Sequence, residues 1–257
     1  IQLTERKILL KLDLKEIYND YLIELDSINQ SNYKAKNPNK YYRASSSGHC
    51  FKKHWYAING YEVGGMNDKS RRLLRLGTIV HKDIENAINW HEDRLSCDVN
   101  NEYNMSFKTE YGVIIEDLNV MGSADIVLID NEKTASVLDI KTTHSYKWKM
   151  MFGHNKESKP SRMYELQLGT YGMGVCLQED ISHEDISLFL VYYKKDDSSV
   201  KYVDVNSVWM DNAFEYWANL NEVLDLVKDE SDLPRDTLNV PVEHWECRYC
   251  PYESICN

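Results

Sequence analysis

The stretch NVMGSADIVLIDNEKTASVLDIKTT, residues 119–143, constrains the fold most, because it predicts two neighbouring strands together with their register. Runs rich in β-branched and apolar residues lie on both sides of the polar turn NEK, which is the pattern of a β-hairpin. A turn centred on Glu132 places Asp125 directly opposite Asp139. Residues opposite each other in a hairpin point to the same face, so both carboxylates are predicted there together.

Lys141 follows Asp139 by two residues and is predicted on the same face, since side chains alternate along a strand. Two opposed carboxylates repel each other unless a cation lies between them. Mg²⁺ or Mn²⁺ suits such hard oxygen ligands and also binds phosphate oxygens. The simpler interpretation is that Asp139 only pairs with Lys141 or caps a turn; the opposed Asp125 favours the metal.

Three cysteines crowd the end of the chain with the spacing C-x2-C-x5-C: Cys247, Cys250 and Cys256. Such spacing is typical of metal ligands, and a fourth ligand would come from one of the remaining cysteines, Cys50, Cys97 and Cys176. No stretch has the pattern of a signal peptide or a membrane span, so we expect an intracellular, cytoplasmic protein without a membrane partner. Thiols stay reduced in that compartment, which favours metal binding over disulfide bonds.

The formal net charge of -11 argues against a nucleic-acid partner, but the charge is unevenly distributed along the chain. Residues 31–82 hold eleven Lys or Arg against two acids, and residues 141–162 hold six against one. These two basic segments predict either solvated faces or places where phosphate groups bind.

Apolar periodicity predicts helices over four segments: 3–28, 70–92, 162–177 and 206–228. A loop follows the first of these helices, Ser161 caps the third, and a further short helix carries Cys50 near its start. Strands are predicted in four other segments: 107–115, 119–130, 135–142 and 186–204. The chain is therefore expected to be an α/β protein.

The hairpin resembles the PD-(D/E)xK nuclease superfamily, whose core has an acidic residue on one strand and acid-x-Lys on the next. GSADIVLI and LDIK occupy those places here, with aspartate where many members have glutamate. The resemblance covers roughly residues 44–257. It implies a restriction-endonuclease-like core, in which helices flank a mixed β-sheet.

The RecB-like branch of that superfamily adds a histidine on an upstream helix and a Q-x-x-x-Y helix downstream. LGTIVHKDIE offers His81, and YELQLGTYGMG offers Gln167 and Tyr171, which are four residues apart and share a helical face. Taken singly, the histidine could be structural and the Gln–Tyr pair a helix flank. The order of all these motifs, however, matches that of the branch.

One group in this branch, similar to the CRISPR-associated RecB-like exonucleases, holds a 4Fe-4S cluster with one cysteine before the nuclease core and three after it. The resemblance makes Cys50 the fourth ligand beside the C-terminal trio and leaves Cys97 and Cys176 as ordinary thiols. Zinc is the alternative occupant, since four thiolates also form a tetrahedral zinc site.

The resulting expectation is one nuclease domain over 1–257, whose N- and C-terminal segments are joined by the cluster. Within it we expect an N-terminal helix and loop at 1–43 and a nuclease core at 70–230. Two cluster-binding segments are expected at 44–60 and 240–257.

The resemblance implies a metal-dependent DNA nuclease with Mg²⁺ or Mn²⁺ held by four groups: His81, Asp125, Asp139 and the backbone carbonyl of Ile140. Lys141 is expected to orient or deprotonate the attacking water, and Gln167 and Tyr171 to steady the site. A single-strand DNA exonuclease, 5′ to 3′, is favoured, acting in recombination, repair or CRISPR adaptation with a helicase or adaptation proteins. Two alternatives stay open: a nucleic-acid-binding scaffold that partners a helicase or integrase, and a zinc-stapled RNA-processing nuclease.

Overall fold

The computed structural model describes five ranges of the chain: 13–61, 64–96, 105–154, 159–233 and 244–256. The chain divides into two units, one of Ile1–Lys40 with Gly65–Leu76, the other of Tyr41–Gly64 with Gly77–Asn257. Among the helices of the described ranges, none combines the length and apolar character needed to cross a membrane.

Seven α-helices occur in the described ranges: α1 Leu14–Lys36, α2 Phe51–Ile58, α3 Asp68–Ser96, α4 Ser145–Phe152, α5 Arg162–Glu179, α6 Val208–Asp225 and α7 His244–Arg248. Six strands accompany them: β1 Tyr42–Arg43, β2 Met105–Ile115, β3 Val120–Asp130, β4 Ala135–Thr143, β5 Ile186–Lys194 and β6 Val200–Val205.

The first unit consists of α1 and the beginning of α3. Asp13 caps α1 by accepting a hydrogen bond from the backbone N–H of Lys15 at 2.9 Å. Arg71 of α3 pairs with Asp26 at 2.8 Å and with Asp68 at 3.2 Å. One charge of the first basic segment is therefore balanced within the unit itself.

Part of the sequence prediction for α1 is wrong. The predicted loop after residue 28 is helical as far as Lys36, while residues 3–12 of the predicted helix lie outside the described ranges. The helix ends before Pro38, because a residue that precedes proline disfavours the helical backbone. Asn37 is accordingly the C-cap.

The second unit contains a six-stranded mixed sheet within the described ranges. β3 pairs antiparallel with β2 along its whole length, while β1 and β4 pair with opposite ends of β3. β4 then pairs in parallel with β5, and β5 antiparallel with β6. The mixed sheet with flanking helices agrees with the predicted fold class.

Both faces of the sheet are covered. One face joins α5 and α6 in the large core, for example through Leu190, Leu168 and Leu220. On the other face, Ile140 and its neighbours on the sheet belong to a smaller cluster with Ile84 of α3. The residues of β4 therefore alternate between two covered faces, and a polar side chain among them has to find a partner.

Helix α5 approaches its neighbours closely because glycines stand where side chains would not fit. A Cβ atom at Gly169 would overlap the carbonyl oxygen of Trp209 on α6, and one at Gly174 would overlap Val113 on β2. This packing brings α5 down onto the sheet and presents its Gln167 to β4.

The remaining predicted elements agree with the observed ones to within a few residues, with two differences. Residues 186–204 form two strands, β5 and β6, because the turn around Asp197 interrupts them; its carboxylate accepts from the Ser199 N–H at 3.1 Å. Helix α4 was not predicted at all.

Candidate active site

The predicted hairpin register is confirmed, since Ile126 pairs with Leu138 as a turn centred on Glu132 requires. The ladder between β3 and β4 ends at that pair, one residue before the two aspartates. The ladder does not continue beyond this pair. The backbone N–H of Ile140 donates a hydrogen bond to the Asp125 carboxylate at 2.6 Å instead. The site therefore lies where two paired strands separate.

Asp139 is the most deeply buried acid of the site, with 1% of its surface exposed. The Lys141 ammonium lies 2.7 Å from Asp139 Oδ2, but this oxygen has no aligned hydrogen bond within the described residues. The contact is thus an ion pair in which the ammonium lies off the preferred acceptor direction.

Two side chains of α5 complete the contacts of Lys141. The Lys141 ammonium donates to Gln167 Oε1 at 2.9 Å, and Gln167 Nε2 donates to the hydroxyl of Tyr171 at 2.9 Å. Gln167 Nε2 is also 3.4 Å from Asp139 Oδ1. The predicted lysine, glutamine and tyrosine are therefore brought together in one hydrogen-bonded chain.

His81 reaches the site from α3, with Nδ1 at 3.4 Å from Asp125 Oδ2. Burial alone would disfavour the imidazolium, but the hydrogen bond and the charge of Asp125 outweigh it and raise the pKa of His81. A neutral imidazole is the form that binds a metal, so protons compete with metal at this position.

Burial raises the pKa of Asp139 to about 6, against the opposing effect of the Lys141 ammonium and with a further contribution from Asp125. In the unfolded chain this carboxyl has an ordinary, lower pKa, so folding favours its protonated form. The stability that the protonated Asp139 carboxyl contributes at a pH below its ordinary pKa is lost as the pH rises through about 6.

We therefore expect Asp139→Asn, which mimics the neutral acid, to melt at a higher temperature than wild type at pH 8 in EDTA. The difference should shrink as the pH falls through about 6 and be smallest near pH 4. Thermal unfolding followed by circular dichroism across this range is the measurement. A difference independent of pH would contradict the assignment of a raised pKa to Asp139.

Two acids near the site were missed in the sequence. Glu85 lies one helical turn after His81 and is 2% exposed; burial raises its pKa, and a hydrogen bond with Glu110 raises it further, against Lys82. Glu110 lies across from Asp125, between the paired positions Thr109–Ile126 and Tyr111–Ala124 of β2 and β3. The spacing H-x-x-x-E, which puts both side chains on one helical face, is the signal that could have found Glu85.

The donor set fits a hard divalent cation, although its side chains are not arranged as metal ligands. In the described ranges no three His, Cys, Asp or Glu side chains stand in metal-binding geometry. Asp125 is held by Ile140 and His81 instead, and Asp139 by Lys141. Two carboxylates at one point, with a buried oxygen on Asp139 that lacks an aligned donor, are nevertheless the chemistry that Mg²⁺ or Mn²⁺ prefers.

Three of the predicted cysteine ligands, Cys50, Cys250 and Cys256, lie within electrostatic range of one another, and Cys247 lies within range of Cys256. Cys50 is the N-cap of α2, and burial, followed by the charges of Cys250 and Cys256, raises the pKa of its thiol. Burial also raises the pKa of Cys256, and the charges of Cys250 and Cys247 contribute. The two chain segments meet through the backbone as well, since Gly64 N–H donates to the Pro251 carbonyl at 2.8 Å.

Of the two other cysteines, the structure describes only Cys176. Cys176 lies on α5 and packs against the large core, half-buried. Cys97 lies outside the described ranges.

The sequence of the chain matches one family model, that of the PD-(D/E)XK nuclease superfamily, over residues 75–257. A search of curated proteins found no match. The matched range includes both aspartates, the lysine and the side chains of α3 and α5 that contact them.

Three solved structures are similar to this chain. SSO0001 aligns with a TM-score of 0.49 and 18% identity, over 84% of this chain and 84% of that chain. A proposed exonuclease from Eubacterium rectale aligns with a TM-score of 0.45 and 14% identity, over 76% and 84%. The alkaline exonuclease LHK-Exo from Laribacter hongkongensis aligns with a TM-score of 0.36 and 12% identity, over 72% and 88%.

Proposed function

Since the chain belongs to the PD-(D/E)XK nuclease superfamily, we propose that it is a divalent-metal-dependent DNA nuclease whose reaction takes place around Asp125, Asp139 and Lys141. The observation that carries this proposal is the separation of β3 and β4. It leaves two carboxylates and an ammonium close together, with Asp139 buried and the other two groups partly buried, and such a concentration of charge inside a protein costs stability.

Asp125 and Asp139 would hold Mg²⁺ or Mn²⁺, with His81 and the Ile140 carbonyl beside them. When bound, the cation supplies a Lewis acid that polarises phosphate and lowers the pKa of water.

The chain's own groups have separate tasks in this proposal. Lys141 places a positive charge beside Asp139. This charge stabilises negative charge that develops on a phosphate, and the ammonium orients the attacking water. Gln167 fixes the position of that ammonium, because its Oε1 accepts from Lys141 while its Nε2 is held by Tyr171. A lysine with two fixed partners loses little freedom when the substrate arrives.

Local positive charge supports a nucleic-acid substrate despite the acidic chain. Residues 141–148, which run from the end of β4 into α4, contain two lysines, Lys141 and Lys147, and no acid. Phosphates are thus attracted to the side of the site where Lys141 lies.

The test is cleavage of end-labelled DNA and RNA of defined ends by purified protein with Mn²⁺, Mg²⁺ or EDTA. We expect cleavage of DNA that EDTA abolishes. Products from blocked and free ends on each strand report whether the enzyme is an exonuclease for single strands and whether it acts 5′ to 3′, as proposed. Binding without cleavage would favour a scaffold, and cleavage of RNA alone an RNA-processing enzyme.

We also propose that Cys50, Cys247, Cys250 and Cys256 hold a 4Fe-4S cluster. Support comes from the mutual electrostatic influence of these thiols and from the contact between the segments that carry them. Lys53 lies close enough for the charges of Cys250 and Cys50 to raise its pKa, against the larger lowering by burial. A cation near thiolates favours their charged form, which is the form that binds metal. A role in recombination, repair or CRISPR adaptation with a helicase or adaptation proteins also belongs to this proposal.

A further inference from the structure

Two polar groups near Lys141 have no role in the site described above. The hydroxyl of Tyr192 on β5 is buried and has no hydrogen-bond partner among the described residues. Lys147 on α4 is half-buried, and within the described ranges no carboxylate lies at ion-pair distance from it. Buried hydroxyls are usually hydrogen-bonded, so Tyr192 indicates a missing acceptor, and Lys147 offers a positive charge that an anion could neutralise.

Both groups lie near Lys141. Tyr192 is its direct register partner across the parallel pair β4–β5. The Lys147 ammonium lies 5.3 Å from the ring centroid of Tyr164, and the Lys141 ammonium lies 4.6 Å from the same centroid. The two ammoniums are therefore no further apart than the sum of these distances, a span within reach of neighbouring phosphates of one strand.

The electrostatics keep the Tyr192 hydroxyl as a donor and leave the Lys147 ammonium in need of an anion. Burial, followed by the charges of Tyr164, Asp139 and Glu165, raises the pKa of Tyr192, so its hydroxyl stays protonated. Burial lowers the pKa of Lys147. A desolvated ammonium without a carboxylate is stabilised by an anion that enters from solvent, and phosphate offers several acceptor oxygens.

We propose that Lys147 and Tyr192, with the ring of Tyr164 close to both the Lys141 and the Lys147 ammonium, form a phosphate subsite for the nucleotide that adjoins the scissile one. The subsite rests on the proposed nuclease function and deepens it. Lys147 and Tyr192 Oη donate to oxygens of the flanking phosphate, while Lys141 faces the reacting one. A single strand fits this role best, because its backbone can bend to bring successive phosphates to both lysines.

The test compares Lys147→Gln and Tyr192→Phe with Lys149→Gln, a matched control that removes an exposed lysine of the same helix. Steady-state cleavage of a single-stranded oligonucleotide with Mn²⁺ should show a KM raised about tenfold by Lys147→Gln and by about three- to tenfold by Tyr192→Phe. In both variants kcat should stay close to wild type, since the lost contact holds substrate and transition state alike. Lys149→Gln should leave both constants unchanged.

A second readout separates binding from folding. In an Asp139→Ala background, the salt dependence of oligonucleotide affinity should become shallower by about 0.7 in slope with Lys147→Gln, as expected for one lost phosphate contact to a single strand. Tyr192→Phe should melt at the wild-type temperature or above, because it removes a buried hydroxyl that has no partner. If Tyr192 had only a structural role, Tyr192→Phe would instead melt at a lower temperature than wild type.

The outcomes distinguish the two proposals. If wild type cleaves while Lys147→Gln and Tyr192→Phe behave like Lys149→Gln, the subsite is wrong and the nuclease function stands. If wild type neither cleaves nor binds DNA or RNA, the proposed function fails and the subsite fails with it.

Discussion

Asp139→Ala is expected to abolish DNA cleavage, with a rate at least about 10³-fold below wild type, while the protein stays folded. Asp139 is the most deeply buried carboxylate of the proposed site, where it would be a ligand for the cation, and it is the ion-pair partner of Lys141. The fold should tolerate the change, because Lys141 keeps its hydrogen bond to Gln167 and a costly buried charge is removed. Nuclease rate and thermal unfolding on the same preparation are the measurements.

DNA binding should survive in this variant. Affinity for nucleic acid comes mainly from Lys and Arg contacts to phosphate, so the loss of an acid should leave it unchanged or stronger when metal is absent. Asp204→Ala is a suitable control, since it removes an exposed carboxylate from β6 and should keep full activity. Wild-type cleavage by Asp139→Ala, with no contaminating nuclease, would show that the active site is elsewhere and would leave the binding scaffold as the better interpretation.

Lys141→Ala should also abolish cleavage, but at a cost in stability that Asp139→Ala does not have. Removing the ammonium leaves Asp139 buried without its counter-charge, which destabilises the fold more than removing both charges would. Gln167→Ala should reduce the rate less than either, because it only releases Lys141 from one of its partners. Equal losses for Gln167→Ala and Lys141→Ala would mean that the glutamine contacts the substrate directly.

The hairpin shows why part of this site could be predicted from sequence. A turn centred on Glu132 fixes the register of β3 and β4, and alternation then fixes which side chains share a face with Asp139. These are local rules, so they hold without knowledge of the rest of the chain. The spacing of Gln167 and Tyr171 is equally local, and the two side chains are indeed in contact.

The residues that were missed depend on contacts between distant segments. Glu110 comes near Glu85 only because β2 pairs with β3 beside α3, and Tyr192 comes next to Lys141 only through the parallel pairing of β4 with β5. Parallel partners are joined by long connections, and no short-range pattern reports their register. Helix α4 was missed for another reason: with eight residues and no side-chain cap, it carries little helical signal of its own.

The second large effect is expected at the cysteines. Anaerobically purified wild type should be brown and contain iron, as thiolate-ligated clusters do, and Cys250→Ser should be colourless and much less stable. Cys250 lies close enough to Cys50 and Cys256 for its charge to raise the pKa of both thiols. Its replacement leaves three ligands, and a cluster with an open iron is lost more easily.

The loss of stability is expected because the cluster would link two segments that are far apart in the chain. Cys50 and Cys247 are almost two hundred residues apart in the chain, and the contacts between their segments include the hydrogen bond of Gly64 with Pro251 and the aromatic packing of Tyr56 with Tyr252. A cross-link over so long a loop stabilises the folded chain on the order of 5 kcal/mol, by analogy with a disulfide. Cys176→Ala is the matched control, because it removes a half-buried thiol of α5 and should keep both iron and colour. Metal analysis that finds about one zinc and no iron in the anaerobic wild type would replace the cluster with a zinc site. If the wild type contains neither metal and Cys250→Ser is as stable as wild type, these cysteines do not form a metal site.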